Sequence, residues 1–473
     1  MFKDFHKIVS KPQADNVVDI GNGNGKANGN GAAASGPRDL RSMVDHDAAL
    51  LSHLDLKSQL HEELLGRLNL SLIDKVQPAE LRREISNLVT EFLATNSRPM
   101  RAEETARLVD ELIHEVTGLG PLEPLLADPT VTDILVNTHR NVYVERHGLL
   151  ERTEVHFSDE RHLLRIIDKI VSRVGRRIDE SQPWVDARLE DGSRVNAIIR
   201  PCAVDGPTLS IRKFSRTPLT MEKLVNNHAL SEQAAAFLRA VVGARLNVLI
   251  SGGTGSGKTT MLNAMSSYIG AKERVVTIED AAELQLQQDH VVRLETRPAN
   301  AEGTGTVSQR DLVRNALRMR PDRIVIGEVR GAESLDMLQA MNTGHDGSMT
   351  TIHANSARDA LGRLEQMVAM SGFDLPLSAV RRQMSSALHI VLQLSRLSDG
   401  RRRITGISEI TGMEGDVITM QDIFTFRAVG KDSEGNVMGH FGATGMRPHC
   451  LETLQAAGLS LGPETFVPVE ARI

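Results

Sequence analysis

Residues 252–260 read GGTGSGKTT, and no other stretch narrows the fold of this chain as far. Gly252, Gly257, Lys258 and Thr259 fit the pattern G-x-x-x-x-G-K-[ST]. An apolar run, LNVLIS, precedes the glycines, and KTTMLNAMSSYIG follows with helical spacing. That context is what the pattern demands. Glycines let the backbone curl until successive N–H groups point inward at phosphate oxygens. The helix N-terminus behind them adds positive partial charge. A lysine then reaches the outer phosphates, and a hydroxyl ligates Mg²⁺. The expected phosphate cradle is Gly252, Gly253, Thr254, Gly255, Ser256, Gly257, Lys258, Thr259 and Thr260, holding ATP, with Thr259 as a metal ligand.

The residues around the loop extend this reading. From about residue 230, apolar strands alternate with amphipathic helices. RVVTIE, RIVIGE and SMTTIHA read as strands; SQRDLVRNALRMR, AESLDMLQAMNTG and ARDALGRLEQMVAM read as helices. Such alternation predicts an α/β domain with a mostly parallel sheet. HIVLQL, RRITGISEI and VITMQDIFTF add strands, and a last helix is expected near LETLQAAG. Upstream, TDILVN, NVYVER, RTEVHF and LSIRKF read as short strands, RHLLRIIDKIVSRVG as a helix, and VDARLEDGSRVNAIIR as a hairpin turning at Asp191-Gly192. This is a compact α+β domain over 119–218, ahead of an ATP-binding domain over 219–473. Leucine spacing predicts a helical module over 51–118. Residues 1–50 carry GNGNGKANGNGAAASG, which has nothing to bury and reads as a disordered tether.

A phosphate loop needs acidic groups at neighbouring strand ends, for the metal or the attacking water. VVTIEDAAEL offers Glu279 and Asp280, and RIVIGEVRG offers Glu328. Gly327 stands where many such proteins carry an Asp. Glu283 reads as surface charge. GHDGSMTTIHANSARDAL places His353 just past a strand, where an imidazole can sense a γ-phosphate, and His345 before it. Arg310, Arg314 and Arg318 share a helical face that suits either solvent or a neighbouring subunit.

Composition trims the alternatives. Aromatics are 3% of the chain and the net charge is −6, which disfavours base stacking and any global attraction for DNA. Direct nucleic-acid binding is not expected. Cys202 and Cys450 make no metal-binding pair. No apolar run approaches the roughly 20 residues of a spanning helix, and no signal peptide is read. A cytoplasmic location is expected.

Taken together, GGTGSGKTT, VVTIEDAAEL, RIVIGEVRG and TGHDGSMTTIHANSARDAL resemble the Walker A, Asp box, atypical Walker B and His box of the bacterial and archaeal secretion ATPases. That superfamily drives type II and type IV secretion and type IV pili. The resemblance covers about residues 120–427. The helical module and Gly/Asn-rich leader look most like the CpaF-type ATPases of tight-adherence (Tad) pili. General type II secretion ATPases carry a four-cysteine zinc insert, which this chain cannot form. The resemblance implies a RecA-like ATPase domain, a PAS-like α+β domain before it, and a homohexamer with ATP and Mg²⁺ in the cleft between the domains. It implies inner-membrane platform proteins and a polar localisation ATPase as partners, and peripheral association with the inner membrane. It also implies arginines of the PAS-like domain acting on the γ-phosphate; GSRVNA and LSIRKF supply Arg194 and Arg212. The catalytic set expected is then Lys258, Glu279, Glu328, Arg194, Arg212 and His353. Glu279 polarises water and Glu328 holds Mg²⁺, directly or through water, although these two roles could be exchanged. Pilus assembly, with or without retraction, and conjugation-type secretion both remain open; a helicase on the same core is the third reading.

Overall fold

A computed structural model describes residues 40–67, 77–146, 148–214, 219–299, 303–468 and 471–472. The Gly/Asn-rich run lies outside the described residues. The first helix, α1 (Leu40–Arg67), reaches back into the stretch read from the sequence as tether. The reason is local: after Pro37 neither Gly nor Pro interrupts the chain until Gly66. Helices α2 (Pro78–Thr95) and α3 (Ala102–Thr117) follow, burying Leu81, Ile85, Leu88 and Val89 on one and Leu108, Val109 and Leu112 on the other. A short helix, α4 (Glu123–Ala127), leads into the first sheet.

That sheet is antiparallel throughout. Its strands are β1 (Val131–Thr138), β2 (Asn141–Arg146), β3 (Leu149–Arg152), β4 (Trp184–Arg188), β5 (Arg194–Ile198) and β6 (Thr208–Arg212), in the order β3-β2-β1-β6-β5-β4. Helix α5 (Glu160–Arg173) buries Leu163, Ile166, Ile167 and Ile170 in the same core as Ile134, Val144, Val195 and Ile211 of the strands. The β4–β5 hairpin turns at Gly192, whose φ of +92° suits glycine. The segment RTEVHF departs from expectation: only Arg152 belongs to a strand. Phe157 instead plugs the core, and its backbone N–H donates to His139 O.

A polar junction ties α1 and α3 to α5. Lys57 Nζ lies 2.8 Å from Glu115 Oε1, and His162 Nε2 lies 2.9 Å from Glu115 Oε2, with all three side chains buried. Burial pushes the Glu115 carboxyl up, but its hydrogen bond to His162 and the Lys57 charge overcome this and hold it at about 2.

The second sheet forms the RecA-like domain. Helices α6 (Met221–Asn226) and α7 (Glu232–Gly243) lead into β7 (Val248–Gly252), α8 (Lys258–Ser266), β8 (Val275–Glu279), β9 (Val291–Glu295), α9 (Gln309–Ala316), β10 (Arg323–Ile326), α10 (Glu333–Asn342), β11 (Met349–Ile352), α11 (Ala357–Ala369) and α12 (Leu377–Ala387). Strands β12 (Ile390–Arg396), β13 (Arg402–Glu414), β14 (Val417–Lys431), β15 (Val437–Ala443) and β16 (Ala471–Arg472) complete it, with helix α13 (Leu451–Ala456) between the last two. The order is β16-β15-β14-β13-β12-β7-β11-β10-β8-β9. From β12 to β9 every pair is parallel; from β12 to β16 every pair is antiparallel. Strands β7, β8, β10 and β11 are buried along their whole length, as strands covered on both faces must be. Their shared direction brings Gly252, Glu279, Gly327 and His353 to one edge of the sheet.

Asn247 fixes the entry to β7. Its fully buried amide donates to Ala387 O at 2.7 Å and accepts from Ser348 N at 2.9 Å, joining three segments ahead of the glycine loop. Arg323, also fully buried, forks onto both oxygens of Glu273 at 2.8 and 3.0 Å and so anchors the start of β10.

Candidate active site

The glycine loop joins β7 to α8. Gly255 and Gly257 take φ of +67° and +97°, so a side chain at either would be strained. Gly252 has no room for one: a Cβ there would lie 2.4 Å from Ser256 Oγ and 2.8 Å from Leu394 O. Buried Ser256 donates its hydroxyl to Gly253 O at 2.8 Å, which pins the curl. Lys258 opens α8 and donates to Gly252 O and Gly253 O at 3.0 and 3.1 Å. Its Nζ lies 3.9 Å from Glu328 Oε1. Burial lowers the Lys258 pKa, and the Glu328 charge opposes that shift.

Glu279 ends β8 and is 3% exposed. Its Oε2 accepts from the backbone N–H groups of Glu283 and Leu284 at 2.8 and 2.9 Å. Its Oε1 is buried and has no hydrogen-bond partner among the described residues. Burial pushes its carboxyl up to about 7, against the pull of those two backbone bonds. Gly327 explains the departure from the usual Asp. A Cβ at 327 would lie 2.9 Å from Glu279 Cγ, so the position is bare because the Glu279 side chain crosses it.

Glu328 differs in every respect. It is half-buried, and its Oε2 accepts from Arg330 Nη2 and Nε at 2.7 and 2.9 Å. Arg330 Nη1 also pairs with Asp280 Oδ2 at 2.8 Å, so one guanidinium links the two acidic segments. The backbone oxygen of Glu328 accepts from Gln309 Nε2 of α9. Neither Arg330 nor Gln309 was marked by the sequence pattern; Arg330, two residues past Glu328, was the readable one.

His353 follows β11 directly and is half-buried. Burial and the Lys258 charge both lower its pKa, which favours the neutral imidazole at neutral pH. His345 sits apart from this group in role: its Nδ1 and backbone N–H both lie 3.3 Å from Ala340 O, closing the end of α10. Arg310 pairs with Asp336 at 2.8 Å and stacks against Phe373, so this arginine is satisfied within the chain. Arg318 lies beyond the end of α9.

Arg194 and Arg212 are register partners at the ends of β5 and β6. Arg212 Nε pairs with Asp133 at 3.0 Å. Arg194 Nη1 reaches the loop between β8 and β9 and pairs with Glu283 Oε1 at 2.8 Å. Glu283 is therefore an ion-pair partner, and its reading as plain surface charge is corrected. Arg402, on β13, donates to Gly255 O at 2.9 Å and adds a second cation to the loop.

The donors suit Mg²⁺. Thr259 in the first turn of α8 and Glu328 just past the end of β10 present hard oxygens, and a magnesium site needs only one or two protein ligands alongside phosphates and water. Among the described residues no group of three or more His, Cys, Asp or Glu is arranged to hold a metal unaided. No helix among the described residues is long and apolar enough to cross a membrane.

Residues 115–446 match the model of the family described as type II/IV secretion system protein. A Mycobacterium tuberculosis protein provisionally named for conjugal transfer is 42% identical over 309 residues, covering 64% of this chain and 87% of that protein. VirB11, a type IV secretion system protein of Brucella suis, is 33% identical over 321 residues, covering 62% and 88%. Among solved structures, the Brucella suis VirB11 ATPase in complex with sulphate aligns at 30% identity over 61% of this chain and 95% of that one, with a TM-score of 0.34. The pilus retraction motor PilT with bound ADP aligns at 23% identity over 58% and 78%, with a TM-score of 0.44.

Proposed function

The chain belongs to the type II/IV secretion system protein family, and on that premise we propose that it is a motor ATPase, a homohexamer that hydrolyses ATP to drive assembly of a Tad-type pilus through an inner-membrane platform. The observation that carries the ATPase reading is Glu279: a buried carboxyl with a pKa near 7, on the same sheet edge as the glycine loop.

The reaction is phosphoryl transfer to water. Backbone N–H groups of 252–257 and the N-terminus of α8 receive the phosphates. Lys258 exchanges its loop carbonyls for phosphate oxygens. Glu279 accepts a proton from the attacking water through its unpartnered Oε1. Arg194 and Arg212 stabilise charge on the transferred group. Neutral His353 registers whether that group is present. Bound Mg²⁺, held by Thr259 and by Glu328 directly or through water, would neutralise charge on the phosphates. Opening of the cleft after release moves the two domains, and the platform takes up that movement. The helical module and the leader before it support the Tad branch. The chain docks on the membrane through partners, among them a polar localisation ATPase of the same system.

Conjugation-type secretion is the second reading, favoured by the conjugal-transfer and type IV secretion names of the relatives. The purified protein is expected to release phosphate from ATP, and Lys258→Ala to lower that rate by about 10²-fold or more. A Lys258→Ala strain that loses surface pili supports the first reading. A strain that keeps pili and loses DNA or protein transfer supports the second. An unchanged rate in the purified variant overturns both.

A further inference from the structure

We infer that Glu283 is a positioning residue for ATP hydrolysis: its carboxylate holds Arg194 until a γ-phosphate takes the arginine over. The inference rests on the reading that Arg194 meets the γ-phosphate.

The geometry is a relay of two contacts through Glu283. Arg194 Nη1 lies 2.8 Å from Glu283 Oε1, across 89 residues of sequence and from the first sheet to the loop after β8. The backbone N–H of the same Glu283 donates to Glu279 Oε2 at 2.8 Å. One residue thus grips the arginine with its side chain and the water-activating carboxylate with its backbone. Arg212 and Arg330 lie within electrostatic reach of the Glu283 carboxylate as well. The Glu283 carboxylate thus ion-pairs with one guanidinium and attracts two more through space, the cationic surroundings that an anionic phosphate would also find.

The rest of the loop is fastened independently of Arg194. The Ala282 N–H donates to Glu295 Oε2 at 3.1 Å, Arg293 donates to Ala282 O at 3.2 Å, and Leu284 N–H holds Glu279. When Arg194 leaves, the 282–284 backbone keeps its seat and Glu279 keeps both N–H donors. The exchange releases a cation without dismantling the base. The pair is partly exposed, 45% for Arg194 and 31% for Glu283, so its hold is weak enough for a phosphate to win. A terminal phosphate carries more charge than a carboxylate and presents three oxygens to the guanidinium.

The test is a double-mutant cycle on the full-length protein, read by equilibrium binding of a non-hydrolysable ATP analogue and of ADP. Arg194→Ala is expected to weaken the analogue and leave ADP within twofold. Glu283→Gln, which keeps shape and backbone but loses charge, is expected to tighten the analogue by about two- to fivefold, the scale of an exposed ion pair. It should leave ADP unchanged and have no effect in the Arg194→Ala background. If Arg194→Ala leaves analogue binding unchanged, the γ-phosphate reading of Arg194 falls and this inference falls with it. If Arg194→Ala weakens the analogue but Glu283→Gln does nothing, moves ADP equally, or acts the same without Arg194, the arginine reading stands and the hand-over is overturned.

Discussion

Strands β8 and β10 are parallel neighbours, and each delivers a glutamate to the same sheet edge after a run of buried aliphatic residues. The sequence makes these two residues look interchangeable. Their surroundings do not. Glu279 is 3% exposed, has no cation bonded to it among the described residues, and is pushed up to about 7 by burial. Glu328 is half-buried, forked onto Arg330 and 3.9 Å from Lys258. A base must be able to take a proton near the working pH, which suits the first. A magnesium ligand must offer an accessible carboxylate beside the phosphate site, and Glu328, half-buried and 3.9 Å from Lys258, does so. Role follows from what lies within a few ångströms, and the residue type alone leaves it open.

The largest effect expected is from Glu279→Gln. It should lower kcat by about 10²–10⁴ and leave ATP affinity within about twofold, since a base acts in the transition state. Glu328→Gln should instead raise the Mg²⁺ concentration needed for half-maximal rate, with excess Mg²⁺ restoring part of the activity. The reverse pattern would exchange the two roles. The pH profile sharpens the contrast. Glu279 must be ionised to accept a proton, so kcat should rise with pH up to about 7 and level off above; a flat profile from pH 5.5 to 8 removes Glu279 as the base. The same raised pKa bears on stability. The folded state binds this proton more tightly than the unfolded state, so the group's stabilisation is complete below about 4.5 and is lost as pH rises through about 7. Glu279→Gln should therefore raise Tm at pH 8, by the equivalent of up to about 3 kcal/mol, and have little effect at pH 4.5.

Next in size is Gly327→Ala. The added methyl would meet Glu279 Cγ at 2.9 Å, and the carboxylate chain must shift to admit it. We expect a stability cost of about 1–3 kcal/mol and a fall in kcat of up to about a hundredfold, with Mg²⁺ dependence unchanged. A variant with normal kcat would mean that the tight passage over Gly327 does not set where Glu279 acts.

Which parts of this site could be read in advance follows from the range of the interactions. Strands β7, β8, β10 and β11 were legible because each is a short, wholly buried run, and the glycine loop because its pattern of residues is contiguous. Strand β9 went unread: it is the half-exposed edge of the parallel sheet, and its alternation is weak. Glu283 was misread because its partner, Arg194 of β5, lies 89 residues away. The Lys57–Glu115–His162 junction was invisible for the same reason, since three helices far apart in sequence supply it. Gly327 was legible as an oddity but not as a consequence of Glu279, because nothing in the order of residues says which side chain passes over which backbone.

Arg330 sets the smallest effect and the finest division between the two glutamates. It bonds Glu328 and Asp280 and has no bond to Glu279. Its side chain is 57% exposed, so each of its ion pairs contributes on the order of 0.2–1 kcal/mol. Arg330→Ala should then raise the Mg²⁺ requirement by about two- to fivefold by letting Glu328 swing. Arg330→Lys should recover only part of this, because an ammonium cannot fork onto Glu328 and reach Asp280 at once. Neither change should move the pH at which kcat levels off, since that pH belongs to Glu279 and is set by burial. A shift of that midpoint in Arg330→Ala would mean that the two carboxylates titrate as one coupled group, and the separation of base from metal ligand would have to be abandoned.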